Sequence, residues 1–192
     1  FARGLRSILR HDPDKIMVGE IRDADTAQIA VQSALTGHLV FTTVHANNVF
    51  DVIGRFIHMG VDPYSFVSAL NGIVAQRLVR VNCPHCAAQV APSAELMELS
   101  GLTLDKTRDY TFRQGDGCGH CRGSGYKGRR AIAEILLLTD ELRELIVARA
   151  PIGQIKEAAV RGGTRSLRDA ALALVKAGDT SLEEINRVTL VG

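Results

Sequence analysis

Much of what narrows this sequence is missing from it. Lysine and arginine number 23 against 21 aspartates and glutamates, a formal net charge of +2. That balance offers no basis for bulk electrostatic binding to nucleic acid or to an anionic lipid surface. No apolar run approaches the roughly 18–20 residues that a membrane-spanning helix needs. The longest candidate, residues 132–138, is interrupted by Glu134. The start, Phe1-Ala2-Arg3-Gly4, has no charged segment followed by an apolar core, so it is not a secretory signal. It also lacks an initiator methionine, and the chain is therefore expected to be the C-terminal part of a longer protein. Repeats and low-complexity tracts are absent. What remains, 192 residues of which 46% are apolar and 23% charged, suits one globular domain, or one with a small appendage.

Cysteine is scarce and clustered. Cys83-Pro84-His85-Cys86 is followed, after 31 residues, by Cys118-Gly119-His120-Cys121. Secreted disulfide scaffolds spread their cysteines more widely. Two Cys-x-x-Cys knuckles supply four thiolates, the donor set of a tetrahedral Zn²⁺ site with no open position for water, hence a structural one. Cys-Gly-His-Cys alone also resembles a dithiol redox motif. The second pair and the glycine-rich flanks favour zinc. His85 and His120 are then spare.

The chain falls into three stretches. Residues 1–82 alternate helical and strand-like patterns. A helix over 2–10 is ended by Asp12-Pro13-Asp14, because the residue before proline avoids the helical region. Residues 16–19 read as a short buried strand ending at Glu20. Asp23 or Asp25 caps a helix over 27–35, which Gly37 stops. Residues 39–44 form a second strand ending at His45. Further helices are expected over 49–58 and from Pro63 to about residue 78. This order, with near-continuous apolar strands, predicts a parallel sheet covered on both faces. Ligands of such sheets collect beyond the carboxyl ends of the strands, where Glu20 and His45 both fall. Residues 83–130 are rich in glycine, cysteine and arginine. Residues 131–192 read as a strand and a small helical bundle without evident chemistry, its last helix opened by the capping-box pattern Ser181-Leu182-Glu183-Glu184.

Taken singly, the candidate residues are ambiguous. An acid ending an apolar strand, as in Ile16-Met17-Val18-Gly19-Glu20-Ile21-Arg22-Asp23, suits a nucleotide hydrolase that orients water; it also suits a surface carboxylate. His45 is either a phosphate sensor or proton relay, or a hydrogen-bonded loop histidine. Arg6 and Arg10, four apart on one helical face, are phosphate-directed or simply solvated.

Together the segments are specific. Leu5-Arg6-Ser7-Ile8-Leu9-Arg10-His11-Asp12-Pro13-Asp14, the Glu20 segment, Thr36-Gly37-His38-Leu39-Val40-Phe41-Thr42-Thr43-Val44-His45-Ala46-Asn47-Asn48, Gln76-Arg77-Leu78-Val79-Arg80 and the paired Cys-x-x-Cys closely resemble the type II secretion and type IV pilus assembly ATPases. The resemblance runs through Gly125-Tyr126-Lys127-Gly128-Arg129-Arg130 into the tail. It implies an α/β, RecA-like P-loop NTPase core with a tetracysteine zinc-binding insertion and a C-terminal helical subdomain. Residues 1–82 would be the C-terminal part of the ATPase core, 83–130 the zinc subdomain, and 131–192 the last core strand with the helical subdomain. It implies ATP, Mg²⁺ and Zn²⁺ as cofactors and a homo-hexamer at the cytoplasmic face of the bacterial inner membrane. There it would work on platform proteins without spanning the bilayer or binding nucleic acid.

By the same resemblance Glu20 is the Walker B glutamate, and Gly19 stands where many P-loop enzymes carry a magnesium-linked aspartate. His45 and His38 belong to a histidine box near the γ-phosphate. Arg6, Arg10, Arg22 and Arg129 reach phosphate or a neighbouring subunit. Retraction ATPases of this superfamily generally lack the four cysteines, so the resemblance points to secretion or pilus extension. No Gly-x-x-x-x-Gly-Lys-Ser/Thr occurs in the chain, and in the family that loop lies upstream. The 192 residues alone are therefore expected to bind ATP poorly and hydrolyse none. The competing expectation is a non-catalytic, zinc-stabilised interaction module. Residues 108–130, with six basic and two acidic side chains, would then face an acidic partner. A nucleic-acid-binding zinc ribbon is disfavoured by the near-neutral charge and the lack of interleaved aromatics.

Overall fold

Short polar caps and glycines set the element boundaries. The computed structural model describes residues 1–189, the side chain of Leu104 excepted. The end of the 131–192 stretch, residues 190–192, lies outside the described residues. The chain divides into two compact units, each drawn from two segments: Phe1–Ala75 with Ile135–Thr164, and Gln76–Glu134 with the residues from Arg165 onward.

In the first unit, α1 (Ala2–Ile8) runs into a 3₁₀ turn (Leu9–His11), and β1 is Lys15–Val18. Helix α2 (Ala24–Leu35) starts at Asp23, whose carboxylate accepts from the Thr26 amide at 2.8 Å and the Thr26 hydroxyl at 2.9 Å. Strand β2 (Leu39–Thr42) pairs parallel with β1 in the register Lys15↔Leu39 to Val18↔Thr42. Asn48 opens α3 (Val49–His58) by accepting from the amides of Phe50 and Asp51, both at 2.9 Å. Asp62 and Pro63, the latter pre-set for a first helical position, open α4 (Pro63–Ala69). Phe56 and Phe66 stack at 4.8 Å in a core that also holds Ile16, Val18, Val49 and Ile53.

Two expectations fail here. The helix from Pro63 does not reach residue 78. It stops at Ala69, where Arg143 of α6 (Asp140–Val147) donates to the carbonyls of Val67 and, at 3.1 Å, Leu70. Strand β3 (Gly72–Asn82) follows and pairs with β6 (Tyr126–Leu137). Residues 73–81, with three valines, an isoleucine and alternating exposure, suit a pleat better than a helix. Nor are both faces of the parallel pair covered. Ile16 and Val18 point into the core, whereas Met17, Leu39 and Phe41 are exposed. The tail helices divide: α6 and α7 (Ile152–Arg161) belong to the first unit, and α8 (Leu167–Lys176) and α9 (Leu182–Val188) to the second.

The second unit also contains β4 (Ala87–Gln89), α5 (Ala94–Leu99) and β5 (Arg113–Gly115), with β4 and β5 antiparallel. Its polar core corrects the capping-box reading of α9. Ser181 does accept from the Glu184 amide, at 3.3 Å. The Glu184 side chain, fully buried, does not reach back. It accepts instead from the backbone amide of Arg80 at 2.9 Å, from the Arg80 guanidinium at 2.6 and 2.8 Å, and from Arg187 at 2.8 and 3.0 Å. Arg80 in turn lies over the Tyr126 ring, 4.1 Å from its centroid, and the Tyr126 hydroxyl meets Ser181 Oγ at 2.6 Å. The network ties α9 to β3 and β6 within this unit.

Burial alone would raise the Glu184 pKa, but hydrogen bonds from Arg187 and Arg80 outweigh it and lower it to about 2 from an ordinary 4.5. A carboxylate depressed on folding contributes stability above its unfolded pKa. That contribution is fully present above about pH 4.5 and fades as pH falls towards about 2. Glu184→Gln is expected to destabilise the protein by on the order of 3 kcal/mol at neutral pH, since it strands two guanidinium groups. In urea unfolding, the gap between wild type and variant should shrink as pH drops through that window. A gap independent of pH would contradict the assignment.

Candidate functional site

The parallel register decides which side chains meet. Beyond Val18↔Thr42 the strands stop, but the chains stay tied: the Ile21 amide donates to the Thr43 carbonyl at 3.0 Å, and the Thr43 hydroxyl donates to the Gly19 carbonyl at 2.6 Å. These bonds bracket Glu20 and hold it beside the segment that carries His45. The His45 Nε2 lies 3.2 Å from one Glu20 carboxylate oxygen, and an Arg22 guanidinium nitrogen lies 2.5 Å from the other. Glu20 is only 22% exposed, against 68% for Arg22 and 78% for His45. The hydrogen bond from Arg22 holds the Glu20 carboxyl below its ordinary range; partial desolvation opposes this, and the nearby positive charge reinforces it. Such a group is an ionised hydrogen-bond acceptor at neutral pH, suited to orienting a water rather than storing its proton.

Helices α2 and α3 both begin a few residues after the strands that carry Glu20 and His45, opening at Asp23 and Asn48. The other candidates lie apart from Glu20. His38, at the start of β2, is half-buried. Its Nδ1 sits 3.0 Å from the Ser33 carbonyl and 3.3 Å from Thr36 Oγ1, at the opposite end of the strands from His45. Arg6 and Arg10 are exposed on α1 and the turn after it. Arg129 is exposed on β6 in the second unit. A cavity of about 240 Å³ in the second unit, with Val90, Phe112, Val175 and Leu182 among its lining, contains none of these residues. A second concavity, of about 370 Å³ in the first unit, is lined by Leu9, Gln28, Ile29, Gln32, Ser33 and Thr36, next to His38 but not to Glu20 or His45.

The second unit gathers all four cysteines, none in a disulfide. Their sulfurs lie within 4.8 Å of one another, with separations of 3.7, 3.8 and 3.9 Å for three of the pairs. A tetrahedron with Zn–S bonds of about 2.3 Å has edges of about 3.8 Å, which these three separations match; the wider pairs would draw in by up to about 1 Å on binding the ion. A bridged pair would stand at about 2.0 Å, far shorter. The backbone supports the donors. The amides of Cys118 and Gly125 donate to Cys121 Sγ at 3.1 and 3.3 Å. Burial pushes the Cys121 thiol up, but these amide bonds win and lower it to about 6. Burial pushes Cys86 up to about 12. Glycine is required where the two knuckle-bearing segments touch: a Cβ on Gly115 would stand 2.1 Å from the Gly125 carbonyl oxygen, and one on Gly125 2.3 Å from that of Gly115.

The chain belongs to the type II/IV secretion system protein family, whose sequence model matches residues 1–187. It is 48% identical over 185 residues to the type IV pilus assembly ATPase PilB of Thermus thermophilus, covering 96% of this chain and 21% of that protein. It is 47% identical over 189 residues to the type II secretion system ATPase E of Vibrio cholerae, covering 98% of this chain and 37% of that one. Its fold is similar to that of the pilus retraction motor PilT with bound ADP (TM-score 0.66, 24% identity, 98% of this chain and 43% of that one). It is also similar in fold to the Legionella pneumophila ATPase DotB (TM-score 0.65, 22% identity, 97% and 41%). The chain thus spans less than two fifths of the length of those two curated relatives. The family resemblance carried by the motifs is met, and the α/β class with it.

Because the thiolates must be deprotonated and brought together to bind metal, zinc removal should loosen the second unit. Purified protein is expected to carry one zinc per chain by elemental analysis. Chelation and Cys83→Ser should each lower its melting temperature by a similar amount. A melting temperature unchanged after verified metal loss would contradict a structural role.

Proposed function

We propose that this chain is the C-terminal part of a RecA-like motor ATPase. In this reading a hexameric parent couples ATP hydrolysis to pseudopilus assembly in type II secretion, or to type IV pilus extension, against inner-membrane platform proteins at the cytoplasmic face. The observation that carries it is the placement of Glu20 and His45 together beyond the carboxyl ends of parallel β1 and β2, in a chain whose relatives are named as assembly and secretion ATPases. Among the described residues no helix is long and apolar enough to cross a membrane, which fits a motor that meets its platform from one side.

In hydrolysis a water oxygen attacks the γ-phosphorus and ADP leaves. Glu20, ionised and flanked by the Ile21–Thr43 and Thr43–Gly19 hydrogen bonds, accepts a hydrogen bond from that water and aligns it. His45, at 3.2 Å, occupies the neighbouring position facing the γ-phosphate. Arg22 exchanges its bond to Glu20 for a phosphate oxygen, which its exposure allows. Arg6, Arg10, His38 and Arg129 serve at phosphate or at a subunit boundary. Mg²⁺, when bound with ATP, neutralises charge on the β- and γ-phosphates. The loop that cradles those phosphates is supplied from outside these 192 residues. In this reading residues 1–82 are the C-terminal part of the ATPase core, residues 83–130 the tetracysteine subdomain that would hold structural Zn²⁺, and residues 131–192 the last core strand with the helical subdomain.

The test is ATP turnover by the chain extended upstream to include a phosphate-binding loop. Glu20→Gln should lower kcat by about 100-fold or more while leaving nucleotide affinity nearly unchanged. His45→Ala should cost less. Turnover insensitive to Glu20→Gln would remove Glu20 from the chemistry. A folded, zinc-loaded, ring-forming protein with no turnover would favour the non-catalytic module.

A further inference from the structure

The pairing of β1 with β2 changes character just where Glu20 emerges. The Leu39 amide donates to the Asp14 carbonyl at 3.1 Å, so in this register the alternate residues Leu39, Phe41 and Thr43 turn their backbone groups towards β1. Val18 pairs with Thr42, which sets Thr43 opposite Gly19. A regular parallel ladder would then give the Thr43 carbonyl to the amide of Glu20. The Ile21 amide takes it instead, at 3.0 Å. The chain that carries Glu20 therefore has one residue more than its partner at this point, the two-against-one count of a bulge. Bulges terminate pairing, re-aim a side chain and are over-represented beside active sites.

The bulge is closed by a side chain. The Thr43 hydroxyl donates to the Gly19 carbonyl at 2.6 Å, towards the short end of the range for such bonds. Branching at Cβ restricts the Thr43 rotamer, which keeps the hydroxyl in place although the residue is exposed. One residue thus grips both flanks of Glu20, Ile21 through its carbonyl and Gly19 through its hydroxyl. We infer that Thr43 is a positioning residue for Glu20: its hydroxyl clamps the bulge and so sets where the carboxylate stands against the attacking water. The inference rests on the reading of Glu20 as the group that aligns that water. Thr43 acts through Glu20 and not on the nucleotide, so losing its hydroxyl should slow the chemical step and spare ATP binding.

Two measurements test this. In the chain extended upstream to include a phosphate-binding loop, Thr43→Val keeps the side-chain shape and removes the donor. It should lower kcat by about 10-fold and leave KM for ATP within about twofold. Thr43→Ala should behave alike, and Thr43→Ser, which keeps a hydroxyl, should restore most of the turnover. Glu20→Gln is measured beside them. In the 192-residue chain itself, amide hydrogen exchange read by NMR should be several-fold faster at Ile21 in Thr43→Val, with the Val18 amide unchanged. A Glu20→Gln protein without turnover beside a Thr43→Val protein of unaltered kcat would overturn the positioning role and leave the ATPase reading standing. Turnover that survives Glu20→Gln would bring down that reading, and this inference with it. A raised KM with kcat kept would make Thr43 a nucleotide contact instead. Unaltered exchange at Ile21 would show that the hydroxyl does not hold the bulge, and would overturn the inference without recourse to activity.

Discussion

The register of two four-residue parallel strands is the constraint on which the candidate site depends. Side chains in a strand alternate between faces, so a slip of one residue between β1 and β2 would turn Ile16 and Val18 out of the core. It would also part Glu20 from His45. The register is fixed from two directions: by burial of Ile16 and Val18, and by the Ile21–Thr43 and Thr43–Gly19 hydrogen bonds past the strand ends. Those bonds hold the backbone on either side of Glu20, while its partners Arg22 and His45 stay exposed. An acceptor held at its backbone, with exposed neighbours, suits a site that must align a water and then release product.

The second unit solves a different problem. Residues 83–130 contain few large buried side chains, Met97 being one of the exceptions. Such a segment cannot be held by an apolar core alone. Two polar devices substitute. The convergent thiolates join the knuckles, with glycines 115 and 125 allowing backbones to touch. The buried Glu184 carboxylate, satisfied by five hydrogen bonds from Arg80 and Arg187, joins α9 to the strands. Each device is costly when half-formed, because an unpaired buried charge or an uncompensated thiolate cluster repels. That makes both specific.

Much of this was legible in the sequence, for identifiable reasons. Caps and stops carry their own signals, so α2 and the turn at Gly37 fall where Asp23 and that glycine place them. The cysteine cluster follows from spacing. The pairing of Glu20 with His45 follows from strand-end logic. The extent of α4 was not legible, because what stops it is Arg143, 73 residues further along the chain. The role of Glu184 was hidden by its own motif. Ser-x-x-Glu reads as a local capping box, and only tertiary contact with Arg80, 104 residues away, shows the carboxylate turned inward. The bare face of the parallel pair was not legible either: Met17, Leu39 and Phe41 are apolar, and composition does not distinguish an exposed apolar residue from a buried one.

The claim that Glu20 and His45 face the reacting phosphate is tested most directly by a crystal structure. The chain extended upstream would be solved with a non-hydrolysable ATP analogue bound. The γ-phosphate should lie beyond the carboxyl ends of β1 and β2, with a water between it and the Glu20 carboxylate and His45 on the same side. An analogue bound with its γ-phosphate elsewhere, and Glu20 still closed against Arg22, would contradict the account.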